Sequence, residues 1–177
     1  MTDILEALKI LIDQKPLVIF HGKSEWGPRA LGNRSILFDP RNPEAKEIVN
    51  KFKRREWWRP LAGTVLQEHA HTYFDMGSLK TSPYMSFAVK AKSRAVNEVP
   101  SIVHVDGTCR VQTINKGPLY DLIAAFYTET DVPILLNTSF NLAGDPIVET
   151  PHNALMTLKN SEMDALLIND LLIEKCV

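Results

Sequence analysis

At 177 residues and a formal net charge of −1, the chain has the size and balance of one compact domain. A domain of this size buries roughly 70% of the surface its unfolded chain exposes, so a core forms without a disulfide framework. The two cysteines, Cys109 and Cys176, are far apart and in no metal-ligand spacing, no apolar run approaches the ~18 residues of a membrane span, and MTDILEALKI lacks the basic start of a secretion signal, so a cytoplasmic protein is expected.

In chain order, DILEALKILID (3–13) has apolar residues at 4, 5, 8, 11 and 12, a helical spacing. LVIF (17–20) predicts a short buried strand and SILFD (35–39) another, stopped by Pro40. NPEAKEIVNKFKRRE (42–56) predicts a helix with Asn42 as cap and Pro43 in its first turn. LAGTVL (61–66) returns to strand character, and YMSFAVKA (84–91) alternates as a half-buried strand does. SIVHVD and RVQTI, around 102–114, predict two strands parted by Gly107. From Pro118 to about Glu129 a helix is expected, with Leu119, Leu122, Ile123 and Phe126 on one face. PILLNTS (133–139) is a buried strand, HNALMTLKN (152–160) a helix, and ALLIND and LLIEK two closing strands. Strands and helices mix without strict alternation, which predicts an α/β or α+β domain on a mixed, twisted sheet.

Charge is unevenly spread along this order. Lys23 to Arg59 holds ten Lys/Arg and five Asp/Glu, so this segment carries about +5 and the rest about −6. A basic block in an otherwise acidic chain points to a local anion site. GPRALGNRSIL (27–37) sets Arg29 and Arg34 among glycines. Arginine offers a planar fork to paired phosphate or carboxylate oxygens, and glycines let a ligand approach the backbone. Arg29 is the expected ligand; Arg34 is alternatively a structural salt bridge with Asp39 or Glu56.

KRREWWRP (53–60) crowds four basic residues around two tryptophans. Aromatic and basic residues together also suit single-stranded nucleic acid, but the acidic remainder of the chain speaks against that. At least one of Trp57 and Trp58 is expected in the core. HVDGTCRVQTI (104–114) carries a turn at Asp106-Gly107 and then Arg110; His104 and Asp106 are too few for a metal site. LLNTSFNLAGDPIVETP (135–151) runs a buried strand into Asn137, Ser139 and Asn141, polar groups at the strand's carboxyl end, where α/β folds place ligands. The alternative is that each caps a turn. There is no Ser/His/Asp set, Cys/His pair or GxxxxGK[ST] motif, so the chemistry on offer is electrostatic: anion binding and phosphoryl or nucleotidyl transfer.

HGKSEWGPRALGNRSILFDPR, KFKRREWWRPLAGTVL, HVDGTCRVQTI and PILLNTSFNLAGDPIVETP together resemble the C-terminal part of the O-carbamoyltransferases of the nodulation and antibiotic-tailoring type, from about residue 16 to 170. Departures are mild: Gly63 stands where the family usually has Pro, Asp145 where Glu is commoner, and Lys23 where Arg is frequent. The resemblance implies a YrdC-like fold, a twisted, mixed open sheet with helices packed on it. It implies a single carbamoyltransferase C-terminal domain over 1–177, without the family's N-terminal actin-like ATPase-fold module. The implied activity is conversion of carbamoyl phosphate and ATP, with Mg²⁺ accompanying the ATP, to a carbamoyl-adenylate. An actin-like ATPase-fold partner would then pass the carbamoyl group to a hydroxyl. Arg29, Lys53, Arg59 and Arg110 would be catalytic, and these with Arg55, Asn137, Ser139 and Asn141 would bind carbamoyl phosphate and ATP. The competing expectations are an RNA-binding basic groove and an inactive partner subunit.

Overall fold

Buried on both faces, the apolar runs of this chain form the middle of one sheet. The computed structural model describes residues 2–175, so Cys176 lies outside the described residues. Helix α1 (Thr2–Ile12) leads into β1 (Leu17–Phe20); β2 (Arg34–Phe38) follows an irregular loop. Then come α2 (Ala45–Phe52), β3 (Ala62–Leu66), α3 (Ala70–Tyr73), β4 (Phe74–Asp75), β5 (Ala88–Ala91) and α4 (Ser93–Glu98). The chain closes with β6 (Thr108–Ile114), α5 (Pro118–Thr130), β7 (Ile134–Ser139), α6 (Pro151–Lys159), β8 (Ala165–Ile168) and β9 (Leu171–Glu174). Among the described residues, nine strands lie in the order β4-β5-β6-β3-β7-β2-β1-β8-β9. Only β3·β6 and β1·β8 pair in parallel, so the sheet is open and mixed, as expected. Among the described residues, no helix is long and apolar enough to cross a membrane.

Alternation along the strands divides the side chains between two layers. Leu17, Ile19 and Leu37 join the large core that includes α1 and α5, whereas Val18, Phe20 and Ile36 join a smaller core with Ala154 and Leu158 of α6. Helix α5 buries Leu119, Leu122, Ile123 and Phe126, the face predicted from their spacing. Helix α6 opens with a capping box, Thr150 accepting from the Asn153 N–H while the Asn153 side chain accepts in return.

Four expectations are corrected. The 42–56 helix is confined to Ala45–Phe52: Asn42 and Pro43 form a turn before it, and Arg54 takes φ 53°, which ends it. In 84–91 only Ala88–Ala91 is strand, because Met85 at φ 54° breaks the extension and the chain loops. SIVHVD is a 3-10 turn at Pro100–Ile102 and then a tight turn, in which His104 N–H donates to Thr108 O at 2.8 Å. Trp57 and Trp58 are both exposed, at 64% and 58%, so neither is core.

The loop between β1 and β2 lies close on α5 through Gly32. Its φ is +121°, and a Cβ there would meet Leu119 Cδ2 at 2.8 Å and Leu119 Cβ at 3.3 Å. Gly32→Ala therefore combines backbone strain with overpacking, each costing about 1–3 kcal/mol. Urea denaturation should show a loss of about 3 kcal/mol, against a smaller loss of about 1 kcal/mol for Gly144→Ala, which has the positive φ of +85° but no atom within 4 Å of an added Cβ.

Candidate functional site: a cationic cleft

Strand register sets the floor of the site. Asn137 of β7 pairs with Ala62 of β3, and Ala62 pairs with Arg110 of β6. Two residues along, Thr64 pairs with Gln112. With a period of two, Arg110, Gln112, Ala62, Thr64, Asn137 and Ser139 share one sheet face. The small Ala62 between Asn137 and Arg110 keeps that face open. A buried polar network fixes the Asn137 amide: its Nδ2 donates to Thr64 Oγ1 at 2.9 Å and Gln112 Oε1 at 3.2 Å, and the Thr64 hydroxyl donates to Gln112 Oε1 at 2.7 Å. Gln112 Nε2 then donates to Leu31 O at 2.9 Å, tying the β1–β2 loop across the sheet.

That loop brings Arg29 to the floor. A small cavity of about 90 Å³ is lined by Arg29, Arg55, Arg110, Asn137 and Ser139, with Pro28, Ala30, Pro60, Met85 and Thr138. A second lobe of about 480 Å³ shares Arg55 and Ser139 with it and adds Arg54, Glu56, Arg59 and Asn141. Seven of the eight expected site residues, all but Lys53, therefore line one two-lobed cleft. Met85, Pro60 and Ala30 carried no signal in the sequence. Thr64 and Gln112 did carry one, as polar residues inside apolar strands.

The cleft is electrostatically unbalanced. Burial first, then Arg59 and Arg110, push Arg55 down to about 10. Burial, then Arg29, lowers Arg110. Like charges this close and partly desolvated disfavour one another's charged forms. Among the described residues, the one ion pair in this group is Arg59 Nε to Glu56 Oε2 at 2.6 Å, half-exposed and hence a weak brace. Arg55 uses Nε on Asn50 Oδ1 at 2.6 Å. Its Nη2 remains buried without a partner, as do Arg110 Nε and Asn137 Oδ1. Two donors and one acceptor, on three residues of the same cavity, are thus left without a protein partner. Unsatisfied buried groups of this kind each cost about 1–3 kcal/mol until something binds them.

Two cations are placed differently from the expectation. Lys53, 2% exposed, lies beneath the cleft. Its ammonium donates to Asn141 Oδ1 at 2.9 Å, Asn141 O at 3.0 Å, Ser139 Oγ at 3.3 Å and the Ser139 carbonyl. It holds two lining residues in place, and reaches a ligand only by giving up one of these bonds. Arg34 is structural, but among the described residues it forms no salt bridge. It donates to the carbonyls of His21 at 2.8 Å, Asn33 at 2.9 Å and Gly22 at 3.1 Å, and stacks 3.5 Å from the Phe20 ring centroid. Asp39, its proposed partner, is taken by Arg41 at 2.6 Å. Cys109 is buried, and burial followed by Asp106 pushes its thiol up to about 12, which removes it as a nucleophile.

The mixed α/β sheet thus carries a cleft lined by crowded guanidinium groups, two of them with a buried nitrogen that no protein atom pairs. The family model described as "Carbamoyltransferase C-terminus" matches residues 8–175, and the chain belongs to that family. Nodulation protein NolO of Bradyrhizobium diazoefficiens is 43% identical over 159 residues, which cover 87% of this chain and 29% of that protein. Nodulation protein U of Sinorhizobium fredii is 40% identical over 144 residues, 80% of this chain and 25% of the relative. The chain thus spans under a third of the length of these relatives. Among solved structures, full-length HypF in a phosphate- and nucleotide-bound form superposes with a TM-score of 0.58 at 18% identity, covering 93% of this chain and 22% of HypF. That likeness extends to the fold.

Burial, then the neighbouring Arg55, push the Lys53 ammonium down to about 7. An unfolded lysine titrates near 10.4. Between these values the unfolded chain binds the extra proton, so stability contributed by this position rises with pH. The unfolding free energy of the wild type relative to Lys53→Met should therefore increase from pH 7 to pH 10. A difference that stays flat over this range would contradict the placement of Lys53.

Proposed function

We propose that the cleft binds carbamoyl phosphate and ATP and forms a carbamoyl-adenylate. The observation that carries this reading is the set of unpartnered buried atoms: Arg55 Nη2, Arg110 Nε and Asn137 Oδ1. Two guanidinium donors ask for an anion, and an amide oxygen asks for an N–H donor. Carbamoyl phosphate supplies both, a phosphate at one end and an amide NH₂ at the other. The 90 Å³ lobe suits so small a molecule. The adjoining lobe of 480 Å³ lies within the range of about 300–1,000 Å³ usual for ligand sites and suits a nucleotide.

In this reading Arg29, Arg55 and Arg110 hold the carbamoyl phosphate and Asn137 orients its carbamoyl end. Arg59, Arg55 and Asn141 take the ATP phosphates, with Ser139 between the two lobes. Water releases phosphate from carbamoyl phosphate; the resulting carbamate oxygen attacks the α-phosphorus of ATP, and pyrophosphate leaves. The cations bring two anionic reactants together and stabilise charge on the leaving groups. Mg²⁺ arrives with ATP and neutralises its phosphates. Glu56, the acid of the larger lobe, is occupied by Arg59. With ATP as co-substrate the reaction belongs in the cytoplasm. Transfer to a hydroxyl acceptor would require a partner of the actin-like ATPase fold, for which the remaining length of the relatives leaves room.

Carbamoyl phosphate and ATP should each raise the melting temperature of the protein. Together with Mg²⁺ they should release pyrophosphate at a rate that depends on both. Arg110→Ala should weaken carbamoyl phosphate binding by roughly 10–100-fold, the worth of about 1.5–3 kcal/mol for a charged hydrogen bond. Absence of any thermal shift at millimolar ligand would sink the proposal.

A further inference from the structure

Arg29 stands at the tip of a loop with no regular structure, yet the loop is not loose. Glu25 closes it. The Glu25 carboxylate reaches across the loop, and its Oε1 accepts from Leu31 N–H at 2.8 Å and from Asn33 N–H at 2.6 Å. Arg29 lies midway in sequence between Glu25 and Asn33. The far side is anchored to the sheet by Gln112, through Leu31 O at 2.9 Å, and by Ser35 Oγ, which accepts from Gly32 N–H at 3.0 Å. The near side rests on Asn33 Nδ2, which donates to Lys23 O at 2.8 Å. Glu25 is the charged link between the two sides. Carboxylate acceptors form stronger bonds to backbone N–H groups than neutral ones.

Arg29 itself has little to hold it. Among the described residues its one hydrogen bond is a long contact of 3.5 Å to the neighbouring Pro28 O. Its approach to Arg110 is unfavourable, since Arg29 lowers the Arg110 pKa. Left to itself, the loop would relieve this repulsion by moving Arg29 outward. We infer that Glu25 is a positioning residue: by clamping the backbone on both sides of Arg29 it holds that guanidinium over the anion cleft against the repulsion of Arg110. The inference rests on the carbamoyl phosphate reading of the cleft. Glu25 does not line the cleft; its effect on a ligand is relayed by the loop that carries Arg29. Ordering the loop before the ligand arrives spares the ligand that cost, as preorganisation does elsewhere.

Carbamoyl phosphate titrated into wild type, Glu25→Ala, Glu25→Asp, Glu25→Gln, Arg29→Ala and the Glu25→Ala/Arg29→Ala double variant tests this, with a melting curve recorded for each. Glu25→Ala should weaken binding about tenfold, on the scale expected when a binding group is displaced by a fraction of an ångström. Glu25→Asp, one methylene too short to span the loop, should do the same and stands in should the alanine variant not fold. Glu25→Gln keeps an acceptor oxygen and should restore most of the affinity. Arg29→Ala should lose at least tenfold, and the double variant should bind no more weakly than Arg29→Ala, because residues acting as one unit are not additive. Glu25→Asp binding like wild type, or a Glu25→Ala loss repeated in full in the Arg29→Ala background, overturns the positioning role. Wild type that does not bind carbamoyl phosphate overturns the reading of the cleft itself, and the inference with it.

Discussion

Four guanidinium groups from three separate segments are held near one another, and one carboxylate, Glu56, is paired among them. In water such a group would scatter. Here Arg110 is fixed by its place in β6 between two paired strands, Arg55 by Asn50, and Arg29 by the loop that Gln112 ties to the sheet. The cost of crowding and partly burying these cations is borne by the two apolar cores on either side of the sheet. In the proposed reading an anion bound there would offset the mutual repulsion of these cations, so the crowding that the fold imposes is what would make a polyanionic ligand favourable.

The scaffold achieves this with neutral partners. Arg34 is caged by three carbonyls and a phenyl ring, Lys53 by the oxygens of Ser139 and Asn141, and Asn137 by a hydroxyl and a second amide. Carboxylates in those roles would have neutralised the cleft. Asp39, the buried acid of this region, is instead kept for Arg41 and for Gln14, which donates to it at 2.5 Å. The acidic remainder of the chain stays off the cleft, and the local field remains positive despite the net charge of −1.

Most of the fold was legible in the sequence because its elements carry strong local patterns. LVIF, SILF and ILLN are near-continuous apolar runs, and α5 shows its buried face at a helical spacing. Failures occurred where local pattern and tertiary demand diverge. KFKRRE reads as helix by propensity, yet Lys53 must turn inward to Ser139, and Arg54 adopts a left-handed conformation to allow it. SIVHV reads as strand by composition, yet Ile102 is needed under Gly63, where it would lie 2.5 Å from an added Cβ. In the site, Arg29 announced itself beside glycines, Arg55 and Arg59 in a basic run around two tryptophans, Arg110 after the Asp106-Gly107 turn, and the asparagines at a strand end. Glu25 did not, because its role is contacts with backbone N–H groups six and eight positions away, and the polar Gln112 within its apolar strand did not reveal that it ties a loop eighty-one positions away. The two tryptophans misled for a simple reason: hydrophobicity predicts burial only on average, and Trp57 and Trp58 lie on a turn that faces outward.

The central claim is that separate cations serve one ligand. A crystal structure of the protein grown with carbamoyl phosphate tests it most directly. The account predicts density in the smaller lobe, the phosphate against Arg29, Arg55 and Arg110 and the carbamoyl NH₂ on Asn137 Oδ1. Carbamoyl phosphate bound on another face, or an empty lobe at saturating ligand, would contradict it.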